Sequence, residues 1–431
     1  MLYTQRWQPF RGRKGGKPDK KERPIRFASR RDAYILSYYR YILSQYYEDL
    51  LRDLGLTGCV LAYRRIKQLS GAGKSNIDFA KEAFEEIRKR GDCAAVALDI
   101  SSFFESLDHL NLRAQWARLL KVDDLPPDHQ AVFRAVTRYA VVERDEVYLR
   151  LGFLKKEVVN GKERLTYTIP FKSMPKKLCS NADFQEKICG KGGLHKSLVN
   201  VNRKPFGIPQ GSPISDLLAN IYLLDFDRVT NAWCVDRGGV YFRYSDDILI
   251  IIPGSDAQAT EACEFAKAEI TKHGSKLLIK DKKTSVVVYE QGPSGRKFRH
   301  IAGQQGRNGL EYLGFRYDGK EVWIRDSTIS KLYRKVAGAI KVECGALVKR
   351  YPGKDEAFVL SKFNYSRFFQ RYGRVEEFDT NGDYETWTFW TYARRAFSLF
   401  GKVGRPIPLQ LRRYKLIVKR RVEREISRRL S

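Results

Sequence analysis

The sequence has no C-x-x-C pair and only 5 histidines, so neither a zinc centre nor a disulfide framework organises it. Its cysteines, Cys59, Cys93, Cys179, Cys189, Cys234, Cys263 and Cys344, are scattered, which fits a reduced, cytoplasmic setting. The first residues, MLYTQRWQPFRGRKGGKPDKKERPIRF, contain no apolar signal core, and no hydrophobic run is long enough to span a bilayer. No membrane partner is therefore expected, and the protein is expected to stay inside the cell. No internal repeat is visible, which excludes a solenoid. SGAGKS, residues 70–75, imitates a phosphate-binding loop but has Gln68 where GxxxxGK[ST] needs glycine. Negative charge is the largest deficit: 50 Asp+Glu face 80 Lys+Arg, giving +30 and a pI near 9.8. That balance points to a polyanionic partner, nucleic acid first.

The 431 residues are enough for two or three domains, and 43% hydrophobic content is ordinary for a folded chain. A basic, glycine-bearing stretch (5–31) precedes the aromatic segment RDAYILSYYRYILSQYYEDLLRDLG. Its Ile35, Tyr38, Tyr39, Ile42, Tyr46 and Leu50 recur at helical spacing and predict a core-packing helix. A loop and an amphipathic helix (about 77–89) lead into CAAVALDI, a buried strand. Residues 111–140 read as helical, and 141–204 as an irregular, hairpin-like, lysine-rich insertion. Ser212-Pro213 carry the cap-then-proline signature of a helix start, followed by an apolar stripe of Ile214, Leu217, Leu218, Ile221 and Leu224. A hairpin at FRYSDDILIII, a helix (about 256–273), strands near 276–289 and the hairpin-like LEYLGFRYDGKEVWI follow. Helical patterns dominate from about 327. In the last segment Leu411, Tyr414, Val418, Val422 and Ile426 form one apolar stripe, expected to pack inward. The opposite, cationic face suits either solvent or a phosphate backbone. WTFWTYARRAFSLF (387–400) reads as core.

FRYSDDILIII sets Asp246 and Asp247 beside five consecutive aliphatic residues. Neighbouring carboxylates in a buried pattern raise each other's pKa and call for a positive partner, of which a divalent metal is the first candidate. A third acid, Asp99, ends the apolar run AAVAL and emerges from the core where it can face a shared site. Three hard oxygen donors of this kind suit two Mg²⁺ ions, with water and substrate phosphates as further ligands.

The order of motifs is the specific signal. DISSFFESLDH (99–109), PFGIPQGSPISDLLANIYL (205–223) and YSDD (244–247), followed by KKTSVV (282–287) and EYLGF (311–315), resemble the reverse transcriptases. The fingers-like RPIRFASRRD (23–32) and YRRIKQLSGAGKSN (63–76) extend the resemblance over roughly residues 20–320. It implies an α+β right-hand polymerase fold: an N-terminal arm and fingers (1–98), a palm (99–325, with an insertion at about 141–204) and a helical thumb with a basic C-terminal helix (326–431).

The resemblance also assigns roles. Asp99, Asp246 and Asp247 hold Mg²⁺ with help from the Ile100 carbonyl. Phe104 stands beneath the sugar and excludes a ribose 2′-OH, where RNA-copying RNA polymerases place a second aspartate; DNA synthesis from dNTPs is therefore expected. Phe103 beside it reads as core. Gln210 meets the incoming nucleotide, and Gly211, Ser212, Tyr244, Leu313 and Gly314 belong to the template and primer surfaces. Arg26, Arg64, Arg65 and Lys67 are candidates for the triphosphate. Lys283 is equally readable as a proton donor to pyrophosphate or as a surface lysine.

Neither a Cys/His-rich endonuclease nor a ribonuclease H extension follows, the Val-Thr-Gly triplet of retron enzymes is not found, and PQGSP departs from the altered motif of diversity-generating enzymes. The chain is thus most similar to the bacterial defence-associated (unknown-group or abortive-infection) enzymes, the compact type 2 class among them. That similarity implies a structured noncoding RNA as template and scaffold, a DNA product and a role against phage. Open alternatives are a group II intron-derived enzyme of mobility or repair, a template-independent polymerase primed by its own tyrosine, and an inactive RNA-binding palm. Oligomeric state is not legible.

Overall fold

The computed structural model describes residues 2–7, 21–68, 70–159, 161–293, 295–303, 307–373 and 389–431. The tip of the basic N-terminal arm and residues 387–388 of the aromatic segment lie outside them. The chain forms two compact units that interleave along the sequence: residues 1–63, 100–230 and 267–278 make one, and 64–99, 231–266 and 279–431 the other. No helix among the described residues is long and apolar enough to cross a membrane.

In the first unit β1 (Leu2–Trp7) pairs antiparallel with β2 (Lys21–Arg26), and helix α1 (Arg30–Asp53) follows, its start capped by the Ser29 hydroxyl. The buried face of α1 is Leu36, Leu43, Tyr47 and Leu51. This corrects the face expected from sequence: Ile35, Tyr38 and Tyr46 are exposed, and Tyr39, Ile42 and Leu50 are only half-buried. Two polar pairs fix the rotation. Arg40 grips Asp216 through Nε (3.0 Å) and Nη2 (2.9 Å), and the Tyr39 hydroxyl donates to Asp128 at 2.8 Å.

The stretch read as helix over 111–140 is two helices, His109–Leu120 and Pro127–Thr137. In the insertion, β4 (Ala140–Val141) pairs with β7 (Asn200–Val201), and β5 (Leu154–Val159) with β6 (Lys162–Tyr167), beside a small core of Val147, Tyr148, Leu154 and Ile188. The expected helix start at Ser212-Pro213 is displaced: the helix is Ser215–Tyr222 and has no side-chain cap. Residues 209–215 are held instead as a turn, in which the Ser215 hydroxyl donates to the Pro209 carbonyl at 2.8 Å. The apolar stripe from Ile214 to Leu224 is buried as expected.

The second unit is built on an antiparallel sheet ordered β11 (Gly295–Gly303), β10 (Ser285–Gly292), β3 (Cys93–Asp99), β9 (Asp247–Pro253) and β8 (Val240–Tyr244). Ile248 to Ile252 are all fully buried, so β9 is covered on both faces, which is why it reads as an unbroken aliphatic run rather than an alternation. Strand structure expected from 276 begins only at Ser285; before it Asp281–Lys283 form a single 3-10 turn. LEYLGFRYDGKEVWI becomes three antiparallel strands, β12 (Leu310–Tyr312), β13 (Phe315–Tyr317) and β14 (Val322–Ile324). One core joins these strands to α2 (Asn76–Arg90), to the helix Asp326–Arg350 and to the final helix Tyr414–Leu430. Leu411, Tyr414, Val418, Val422 and Ile426 are buried in it, as are Trp390, Ala393, Ala396 and Phe400 of the aromatic segment.

All cysteines are free thiols. Burial pushes Cys93 up to about 11 and Cys234 and Cys344 to about 12, so these thiols remain protonated at neutral pH.

Candidate active site

The carboxylate hairpin lies in the second unit. β3 and β9 pair with Asp99 directly opposite Asp247, and β8 and β9 pair with Tyr244 opposite Asp247. Residues in direct register point to the same face with Cβ atoms about 4.5–5.5 Å apart. Like charges so placed repel, which makes the pair a natural seat for a cation. Both are hard oxygen donors and fit a divalent ion such as Mg²⁺. Among the described residues no three His, Cys, Asp or Glu side chains converge as a ready-made metal group. The structure therefore shows Asp99 and Asp247 in register, with Asp246 adjoining at the turn, rather than a closed triple.

Ser245 and Asp246 form the two-residue turn, and Ser245 has φ 61°, while Asp246 stays on the negative side. A positive φ at the first turn position alone is the type II′ pattern, which glycine ordinarily supplies. Serine there stores strain at the tip that bears the carboxylates. A buried cation compensates: Arg243 is fully buried, and its Nη1 donates to the Ser245 carbonyl at 3.1 Å. The surrounding phenols feel the charge as well. Burial first, and then the negative charge of Asp247, raise the pKa of Tyr244 and push that of Tyr312 far up. The Tyr312 hydroxyl is buried with no hydrogen-bond partner among the described residues.

The β12–β13 turn is Leu313-Gly314, both at positive φ (46° and 93°), the type I′ pattern with leucine in a place that favours Asn or Gly. Asn76 secures it, donating to the Leu313 carbonyl at 3.0 Å and to the Tyr392 hydroxyl at 3.1 Å. The loop bearing Arg64, Arg65 and Lys67 is a small hairpin. Lys67 bridges Gly73, and Gln68 N donates to Ala72 O at 2.7 Å, so SGAGKS is a hairpin tip and not a phosphate loop. Arg65 and Lys67 are exposed, and Arg64 is half-buried. The loop is tied down by Asp78, which completes a capping box with Ser75 and also accepts from Gln68 (2.5 Å) and Arg395 (3.2 Å). Lys283 ends the turn before β10.

The other expected site residues lie in the first unit. The Phe103 ring is buried and the Phe104 ring half-buried, 5.6 Å from it. Ile100 is fully buried. The loop ahead of Gln210 is sewn to this segment: Gly207 N donates to Leu107 O and Ile208 N to Phe104 O, both at 2.8 Å. Gly207 has φ 89°, and a Cβ there would stand 3.2 Å from the Glu105 carbonyl oxygen, so glycine is required twice over. Gln210 O accepts from Arg26 N at 2.8 Å, bringing these two site residues together. The Arg26 guanidinium pairs with Glu105 at 2.5 Å and lies 4.8 Å over the Tyr139 ring. Gly211 is exposed at φ 103°, and the Ser212 hydroxyl is buried with no hydrogen-bond partner among the described residues.

Sequence reasoning missed Arg243, Glu105, Asn76 and Asp78. Two of these had signals: S-x-x-D at 75–78 is a capping pattern, and alternation in VYFRY puts Arg243 on the same inward face as Tyr241.

The fold and this carboxylate hairpin define a class, the α+β right-hand polymerases. Residues 195–317 match the family described as "Reverse transcriptase (RNA-dependent DNA polymerase)", so this segment is similar to a reverse transcriptase domain. No curated protein matches it. Among solved structures it is similar to a Candida tropicalis apo telomerase truncated from its C-terminal domain (11% identity, 68% of this chain and 45% of that one, TM-score 0.40). It is similar also to the untruncated apo form (14%, 98% and 64%, TM-score 0.40) and to a C. tropicalis telomerase in complex with a TWJ fragment of telomeric RNA (12%, 96% and 62%, TM-score 0.39). The chain spans between 45% and 64% of the length of these structures.

Replacing Arg243 with Met removes the donor to the buried Ser245 carbonyl and is expected to cost about 1–3 kcal/mol. The denaturant midpoint falls while the slope stays fixed, and Arg243→Lys loses less; a midpoint equal to the parent's in Arg243→Met refutes the support role.

Proposed function

We propose that the protein is an RNA-directed DNA polymerase that makes cDNA at Asp99, Asp246 and Asp247, copying an associated structured noncoding RNA in antiphage defence. The observation that carries the catalytic reading is the register of Asp99 against Asp247 at the mouth of a buried strand pair, within a chain similar over residues 195–317 to a reverse transcriptase domain. The three carboxylates, with the Ile100 carbonyl, would hold two divalent ions. Such ions, when bound, lower the pKa of an attacking hydroxyl and neutralise charge on departing pyrophosphate.

The reaction joins the primer 3′-oxygen to the α-phosphorus of a dNTP, breaks the bond to the pyrophosphate oxygen and releases the hydroxyl proton. Phe104 sets the sugar specificity, and Gln210 orients the nucleotide. Arg26, Arg64, Arg65 and Lys67 supply cationic contacts to the triphosphate, and Lys283 would serve as proton donor to pyrophosphate. Gly211, Ser212, Tyr244, Leu313 and Gly314 hold template and primer. The defence role rests on the similarity of the motif set to the defence-associated enzymes, and the RNA partner on the charge of +30.

Asp246→Ala/Asp247→Ala is expected to abolish dNTP incorporation on a primed RNA while RNA binding persists; undiminished incorporation removes the site. In the same assay Phe104→Ala is expected to admit rNTPs, and discrimination equal to the parent's rejects the sugar gate. Sequencing the RNA that co-purifies from cells is expected to return one structured noncoding RNA. A broad cellular pool points instead to an enzyme of mobility or repair.

A further inference from the structure

Helix α1 presents two kinds of tyrosine. Tyr39 and Tyr47 turn inward with hydroxyls engaged, on Asp128 at 2.8 Å and on the Asn220 carbonyl at 3.5 Å. Tyr34, Tyr38 and Tyr41 turn outward, 78%, 61% and 66% exposed, and their hydroxyls have no hydrogen-bond partner among the described residues. Burial of these rings would be favourable, so a row of them left in water marks an interaction surface rather than a scattered residue. At about 100° per residue, positions 30, 31, 34, 38 and 41 fall within one arc of about 100°, so Arg30 and Arg31, both exposed, lie on the same face as the three rings. The rings rise about 10 Å along the helix, roughly the span of two or three stacked or splayed nucleotides.

Beside this face opens a cavity of 420 Å³ lined by Arg26, Phe27, Ile35, Val132, Tyr139 and Ser212 among others. Phe27 and Ile35, 57% and 52% exposed, connect it to the outer surface. Its wall is mostly apolar and aromatic, yet two of its polar atoms, Ser212 Oγ and Arg26 Nε, are buried with no hydrogen-bond partner among the described residues. Flat apolar walls, aromatic rings and a few unmet polar atoms suit a nucleobase, which offers a π-face and hydrogen-bonding edges. The neighbouring cations suit its phosphates.

We propose that the outward face of α1 and this cavity form a track for single-stranded RNA, with bases stacked on Tyr34, Tyr38 and Tyr41 and one unstacked base entering the cavity. The proposal rests on the reading of the protein as an enzyme that copies RNA, and it adds where the unpaired strand lies. Charge decides the occupant: Arg30 and Arg31 against a polyanion complement each other, whereas a second copy of a chain at +30 would be repelled.

The test uses the full chain, the triple variant Y34A/Y38A/Y41A and its counterpart Y34F/Y38F/Y41F. Binding is read by fluorescence anisotropy on an unstructured RNA oligomer, on the same sequence as a blunt duplex and on single-stranded DNA. Because each ring would stack one base, the alanine variant is expected to bind the single-stranded RNA at least about tenfold more weakly. The phenylalanine variant and duplex binding are expected to stay within about twofold of the parent. Single-stranded RNA binding retained by the alanine variant overturns the track. So does a parent oligomer that the alanine variant converts to monomer with RNA binding intact, which assigns the face to a second copy. Tighter parent binding to single-stranded DNA, lost with the same substitutions, overturns the assignment to RNA. Incorporation on primed RNA is measured alongside: an active parent whose alanine variant binds RNA normally overturns the track alone, while a parent that neither binds RNA nor incorporates dNTPs overturns the functional reading with it.

Discussion

Two carboxylates held opposite each other across a strand pair are the constraint on which the rest of the second unit depends. Asp99 and Asp247 are a register pair of β3 and β9, and the repulsion between them opposes that register. The register survives because slipping it by one residue would turn every side chain of β9 to the other face. Ile248 to Ile252 are buried on both sides of the strand and pair with Leu98 to Ala94 of β3. The hydrophobic run is therefore what aims the acids. Arg243, fully buried and donating to the Ser245 carbonyl at the hairpin turn, adds a positive charge beside the acids.

The first unit prepares its surface differently, with backbone rather than side-chain charge. Gly207 and Ile208 are stitched to residues 104 and 107, so the loop leading to Gln210 inherits the position of the segment that carries Phe104. Arg26 reaches this loop through its own amide and is half-neutralised by Glu105. At 12% exposure the Arg26 side chain is preorganised, its planar group fixed by an acid on one side and the Tyr139 ring on another. A lysine at this place would keep the charge and lose both planar contacts.

Much of this was legible because period and burial coincide. All five residues the spacing of the last segment selected are buried, Leu411 at the end of one helix and Tyr414, Val418, Val422 and Ile426 in the next, and the ILIII run proved a strand with both faces covered. Reading failed where polarity and hydrophobicity share one residue. Tyrosine counts as apolar in a periodic pattern, yet α1 buries the stripe Leu36, Leu43, Tyr47 and Leu51, rotated about 100° from the one selected. What set the rotation was Arg40 against Asp216 and Tyr39 against Asp128, partners more than 80 residues away. The Ser212 cap failed locally: residues 209–215 close a turn in which the Ser215 hydroxyl donates to the Pro209 carbonyl, and the helix begins at Ser215 with no side-chain cap.

The excess of positive charge and the exposed rings of α1 answer different physical needs. Attraction of a polyanion to a surface of net charge +30 is long-ranged, falls with salt and carries no register. A strand drawn in by charge alone slides, because every phosphate is equivalent to the next. Stacking acts at contact and counts bases, since each ring accepts one face. On the proposed reading, three rings on a helix whose rotation is locked by one ion pair and one ion-dipole contact would convert a diffuse field into discrete steps, each the size of one nucleotide. The acids at the β8–β9 hairpin are held in an equally discrete way, since strain at Ser245 and the fixed register of β9 leave the carboxylates little room to drift.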